Sequence, residues 1–266
     1  MGGNKVKNVL VTGSNGYLGR FLVARLKSEG YTVRGFDLKE PEGDSPLDSF
    51  VQGDITSTSD IQAAVEGQDA VIHLVSLVRG REAASLQVFI DIMVKGTWLL
   101  AEAAAKAGLV RFVNVSSIVA VGLPSSGNQR HKEGDQLQMG GADNYYQMCK
   151  WIGEEVCRLY KRSGLLDIVN IRPGVIAGDG LNAGPSAPDA HVPHWFNYVD
   201  PGDVAQAAAS ALRSDSLEQT EYFIMADHPE AAYDISAAKR DLGYRPLTNW
   251  SEIRSPKSES GEGMHS

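Results

Sequence analysis

Val6-Lys7-Asn8-Val9-Leu10-Val11-Thr12-Gly13-Ser14-Asn15-Gly16-Tyr17-Leu18-Gly19-Arg20-Phe21-Leu22 carries the strongest structural signal in the chain. Val6 to Thr12 reads as a buried strand and Gly13 to Gly19 as a turn. Leu18, Phe21, Leu22 and Leu26 then recur at helical spacing until Gly30 ends the helix. Glycine suits positions 13, 16 and 19 because the backbone there must turn tightly, let a pyrophosphate approach, and allow the helix to pack on the strand. The helix start supplies free N–H groups and the positive end of its dipole.

The pattern repeats outward from this unit. Tyr31 to Phe36, Phe50 to Gln52, Asp69 to Val75, Arg111 to Val115 and Asp167 to Ile171 read as strands. Helices are expected over Ser57 to Glu66, Ala83 to Lys106 and Tyr145 to Arg162. Alternating strands and helices predict an α/β fold, a doubly wound parallel sheet covered on both faces. Residues 1–171 are assigned to a dinucleotide-binding domain. Residues 172–254 form a small C-terminal substrate-binding region partly interleaved with it, holding a helix from Pro201 to Leu212 and a strand near Glu221 to Met225. Ser255 to Ser266, rich in Ser, Gly and Glu, is expected to be a disordered tail.

Composition narrows the function. The 266 residues are 42% hydrophobic and 22% charged, ordinary for a globular protein. A net charge of −8 argues against nucleic acid or an anionic membrane as partner. No apolar stretch approaches the roughly 20 residues of a membrane span, and Met1 to Lys5 lacks the apolar core of a signal peptide, so a cytoplasmic protein is expected. Cys149 and Cys157 lie eight apart in one helical pattern, which suits reduced packing residues and no metal site.

Asp37 ends the second strand, where a carboxylate accepts from the adenosine ribose hydroxyls and repels a 2′-phosphate. NAD is therefore expected over NADP, with Arg34 and Lys39 as nearby cations that soften the preference. Asp54 is placed to meet the adenine or to cap the following helix. Tyr146 and Lys150 are four apart in a helix and share one face. A lysine cation beside a tyrosine favours the phenolate, which a general base needs. Ser116 and Ser117 follow the fifth strand at the edge where open α/β sheets bind ligands.

The glycine turn, Asp37, His73-Leu74-Val75-Ser76, Ser116-Ser117, Tyr146 with Lys150, Arg172-Pro173, Tyr198 to Ala205 and Lys239 to Tyr244 occur in one order. Together they resemble the extended short-chain dehydrogenase/reductases, the NAD-dependent epimerase/dehydratase family, over Val6 to about Pro246. That resemblance implies a Rossmann-type fold and an NAD(P)-dependent oxidoreductase acting on a CH–OH group. In it Ser117 is the catalytic hydroxyl, Tyr146 the general acid/base, and Lys150 the residue that lowers the tyrosine pKa and holds the nicotinamide ribose. Gly13, Asn15, Gly16, Tyr17, Leu18, Gly19, Asp37, Asp54, Ile55, Leu74, Val75, Ser76, Lys150 and Pro173 would line the cofactor. Relatives often dimerise through the two long helices, so a homodimer is expected.

Two departures stand out. Met93 occupies a position where relatives commonly carry Asn. Only 25 residues, 173 to 197, separate Arg172 from Tyr198, a span shorter than that of members gripping a nucleotide-linked sugar. A small polar substrate, sugar-like and similar to that of the uronate dehydrogenases, is the expected partner. Arg79, Arg81, Arg172, His191 and His194 are its candidate ligands. Each also has a plainer reading: a solvated charge for the first two, a structural ion pair for Arg172, and surface residues for the histidines. The rival functions are a nucleotide-sugar epimerase or dehydratase that keeps its NAD, and a dinucleotide sensor without chemistry.

Overall fold

The computed structural model describes residues 6–77, 84–122, 130–135, 139–177, 198–215, 217–229 and 231–247. Seven parallel strands form the main sheet: β1 (Asn8–Thr12), β2 (Thr32–Asp37), β3 (Ser49–Gln52), β4 (Ala70–His73), β5 (Arg111–Val115), β6 (Ile168–Pro173) and, from late in the chain, β9 (Glu221–Ile224). Their spatial order is β3-β2-β1-β4-β5-β6-β9. The chain winds outward from β1 in one direction, returns to β4, and winds outward in the other. The crevice between the β1 and β4 ends is therefore the switch point where open α/β sheets bind ligands.

Residues alternate across the sheet with a period of two. Val9, Val11, Ala70, Ile72, Val113, Val115, Val169 and Ile171 face one layer, where they meet α1 (Tyr17–Ser28) and α6 (Pro201–Arg213). Leu10, Val71, Phe112 and Ile168 face the other, where they meet α2 (Thr58–Val65), α4 (Gly96–Lys106) and α5 (Tyr145–Arg162). Both faces are covered, which is why the central strands read as unbroken apolar runs.

The expected 171/172 boundary falls inside β6, and α6, β9 and α7 (Ser236–Asp241) return to the same core. A short parallel pair, β7 (Val175–Ile176) with β8 (Tyr198–Val199), lies outside the main sheet. The long helical pattern after β4 is interrupted. Ser85 caps α3 (Leu86–Phe89), a π-helical turn spans Ile90–Lys95, and only then does α4 begin. Cys149 and Cys157 are free and buried, as packing residues should be. The expected tail, 255–266, lies outside the described residues.

Candidate active site

The turn after β1 is built as its glycines require. Gly13 has φ +73° and donates its N–H to the Phe36 carbonyl at 2.7 Å. A Cβ on Gly19 would lie 2.3 Å from the Gly13 carbonyl oxygen, so only glycine lets α1 approach the turn this closely. Gly16 caps α1 without a side chain and no acidic residue occupies its first turn, which leaves backbone N–H groups for an anion. Asp37 Oδ2 accepts the Asn15 N–H at 3.0 Å, placing this carboxylate against the turn.

Arg34, expected to soften the cofactor preference, is committed elsewhere. Its guanidinium donates to the Ala64 and Glu66 carbonyls at 3.1 and 2.7 Å, satisfying the end of α2. Asp54 holds its own loop, with Oδ1 accepting the Thr56 N–H and hydroxyl at 2.8 Å each, while the residue as a whole is exposed. The plainer reading of Asp54 is thus present in the structure, and Ile55 beside it is buried.

At the same edge of the sheet, the side-chain oxygens of Ser76 and Ser116 are buried with no hydrogen-bond partner among the described residues. Buried hydroxyls are normally satisfied, so two orphans past the ends of β4 and β5 suit a polar ligand group. With the glycine cradle and Asp37, they fit a dinucleotide.

Lys150 lies on the buried side of α5. Its Nζ donates to the Val115 carbonyl at 2.9 Å and sits 6.0 Å from the Tyr146 ring centroid. Burial lowers its pKa to about 8, and the Glu154 carboxylate one turn on acts in the opposite sense. The ammonium is therefore mostly charged at neutral pH. Ser117 follows β5 and caps the short 3₁₀ turn Ile118–Val121, its hydroxyl accepting the Val119 N–H at 3.4 Å. The end of β5 and the start of α5 thus bring Ser117, Tyr146 and Lys150 to one region.

A narrow cavity of about 10 Å³, the scale of one water molecule, is lined by His73, Val75, Met93, Thr97, Asn114, Cys149, Lys150 and Gly153. Beside it runs a directed chain of hydrogen bonds. Thr97 donates its one hydroxyl proton to the Met93 carbonyl at 2.8 Å, so it accepts from His73 Nε2 at 3.0 Å. His73 Nδ1 is then the acceptor for the Thr12 hydroxyl at 2.7 Å. Burial, and secondarily the Lys150 charge, pushes the His73 pKa down to about 3, so the ring is neutral. Thr97, whose signal is its i+4 spacing from Met93, was not among the expected site residues, and His73 was seen only as part of the family pattern.

One expectation is corrected. Arg172 is 1% exposed and cannot be a substrate ligand. Its Nε and Nη2 donate to Glu154 at 2.9 and 2.7 Å, and Nη1 donates to the Glu133 carbonyl at 2.9 Å. Pro173 ends β6 beside it. Arg79, Arg81, His191 and His194 lie outside the described residues.

Residues 9–235 match the model of the NAD dependent epimerase/dehydratase family. The chain belongs to that family. It is 30% identical to the uncharacterised protein y4nG of Sinorhizobium fredii over 67% of this chain and 43% of that one. To the NAD-dependent glucose-6-phosphate dehydrogenase of Haloferax volcanii it is 25% identical, over 92% of this chain and 95% of that one. Among solved structures, a mutant uronate dehydrogenase from Agrobacterium tumefaciens complexed with NAD superposes with a TM-score of 0.77, at 22% identity, over 93% of this chain and 87% of that one, which shows the shared fold. The chain spans about half the length of several curated relatives, among them 51% of the short-chain dehydrogenase/reductase family 42E member 1 of Bos taurus. As an extended short-chain dehydrogenase/reductase, the chain is of an enzyme family.

Proposed function

We propose that this family member is an NAD-dependent oxidoreductase moving a hydride between nicotinamide and a secondary alcohol or ketone of a small, unlinked sugar or sugar acid. The observation that carries the reading is the Tyr146–Lys150 pair on α5, with Lys150 tethered to the Val115 carbonyl two residues before Ser117. Support for the substrate class comes from the 25-residue span before Tyr198 and from near-complete coverage of a glucose-6-phosphate dehydrogenase of similar length.

When bound, NAD supplies the hydride acceptor. The glycine turn and first turn of α1 would hold its pyrophosphate, Asp37 the adenosine ribose, and Ser76, Ser116 and Lys150 the nicotinamide end. The commitment of Arg34 to α2 removes one cation that a 2′-phosphate would need, which favours NAD. Ser117 orients the substrate oxygen and Tyr146 takes its proton. Lys150, charged below about pH 8, stabilises the phenolate that this transfer requires.

A homodimer is part of the same reading. Trp98 on α4 and Trp151 on α5 are 46% and 41% exposed, apolar surface that a second copy packed on these two helices would cover.

The test is the ultraviolet absorbance of reduced nicotinamide, with NAD and NADP in parallel, against uronic acids, aldoses, sugar phosphates, nucleotide-linked sugars and hydroxysteroids. Turnover with NAD and a free sugar class is expected. Turnover confined to nucleotide-linked sugars or steroids would overturn the substrate class, and preference for NADP the cofactor assignment.

A further inference from the structure

Gln147 stands three residues after Asn144, the N-cap of α5, where a glutamine ordinarily returns its side chain to the N-cap amide. Only half of that box is made. Asn144 Oδ1 accepts the Gln147 N–H at 3.2 Å, but the Asn144 N–H donates to the Gly141 carbonyl at 2.9 Å. The Gln147 carboxamide, 1% exposed, meets the Asn144 side chain, whose Nδ2 donates to its Oε1 at 3.4 Å, and otherwise leaves the cap. Its Nε2 donates to the Val119 carbonyl at 2.9 Å, and its Oε1 accepts the Gly140 N–H at 2.7 Å. The approach is so close that a Cβ on Gly140 would lie 2.6 Å from that oxygen.

Val119 belongs to the 3₁₀ turn that Ser117 caps. Gln147 adjoins Tyr146. Gln147 and Lys150, three apart on one helix face, therefore grip the end of β5 on both sides of Ser116-Ser117, at the carbonyls of Val119 and Val115.

We propose that Gln147 is a positioning residue that sets the spacing between the Ser117 hydroxyl and the Tyr146 phenol. This rests on the assignment of those two residues as the reacting pair. Proton transfer depends on alignment at the scale of an ångström, and one such displacement costs about 100-fold in rate. A serine capping a single short turn has little local structure to hold it, so a tether from the helix that carries its partner is the effective constraint.

Two variants separate this role from simple capping. Gln147→Glu keeps a residue favoured early in a helix and keeps the acceptor for Gly140, but loses the donor to Val119. Gln147→Met removes all three side-chain hydrogen bonds, the one to the Asn144 side-chain amide included, without adding charge. In both, NAD affinity by calorimetry is expected to stay within about twofold and KM within about threefold, while kcat falls about 100-fold. Amide hydrogen exchange at Val119, Ala120 and Gly122 should accelerate about tenfold or more, with exchange along α5 unchanged. Wild-type kcat with unchanged exchange in Gln147→Glu would reduce the residue to a cap, and acceleration throughout α5 would reduce it to a folding role. Either result overturns the proposal. If the wild type turns over no substrate, the proposed function fails, and unchanged turn exchange in Gln147→Glu still overturns the tether.

Discussion

His73 shows how one residue can be settled by its neighbours. A buried imidazole between two threonine hydroxyls must stay neutral, because nothing in that pocket compensates a charge and Lys150 adds a like one. Its folded-state pKa of about 3 lies below the ordinary 6.5, so the unfolded chain takes up a proton that the folded one refuses. Stability is therefore lost as pH falls from 6.5 towards 3. His73→Gln, which keeps polar atoms for the threonines and does not titrate, should be less stable at neutral pH yet lose less on acidification. Urea unfolding midpoints across this range check it, and parallel pH slopes for the two proteins would contradict it. Asp37 and the Tyr146–Lys150 pair were legible in the sequence because strand ends and i+4 spacing are local properties. For Arg172 a structural ion pair was one of two readings and its partner was not legible, because Glu154 lies 18 residues upstream and the two meet only when α5 packs on β6.

That ion pair matters at the level of elements. Glu154 is fully buried and Arg172 nearly so, and with Arg158, which pairs with both Glu154 and Glu221 of β9, they fasten α5, which carries Tyr146 and Lys150, to the sheet. Removing one partner of a buried pair leaves the other charge uncompensated, at about 3–5 kcal/mol. Glu154→Gln should lower the unfolding free energy by that order in urea titrations, and a loss under about 1 kcal/mol would show that the pair does not fasten the helix. Strands β1 to β6 were readable from glycine punctuation and β-branched runs. The π-helical turn at Ile90–Lys95 was not, since its apolar residues keep a spacing that an ordinary helix also allows. The pair β7–β8 was missed for another reason: two-residue strands are too short for a period.

In the whole molecule, the doubly wound order places the glycine turn, Asp37, the orphaned serines and the end of β5 along one edge, so the fold and the candidate site were legible together. The substrate side was legible only as a short span, because the sequence around Arg79, Arg81, His191 and His194 carries no periodicity. The outer face of α4 and α5 makes a separate statement at this scale: the protein should sediment as a dimer, and Trp98→Glu with Trp151→Glu should yield monomers. A wild-type monomer at micromolar concentration would remove the homodimer.

The most direct measurement is the amount of reduced nicotinamide formed per substrate consumed, run with wild type and Tyr146→Phe. The expected result is one equivalent per turnover in wild type and a rate about 10²–10⁴-fold lower in the variant, with NAD still bound. Isomerised or dehydrated product without net reduced cofactor, or near-normal turnover by Tyr146→Phe, would contradict net hydride transfer through this tyrosine.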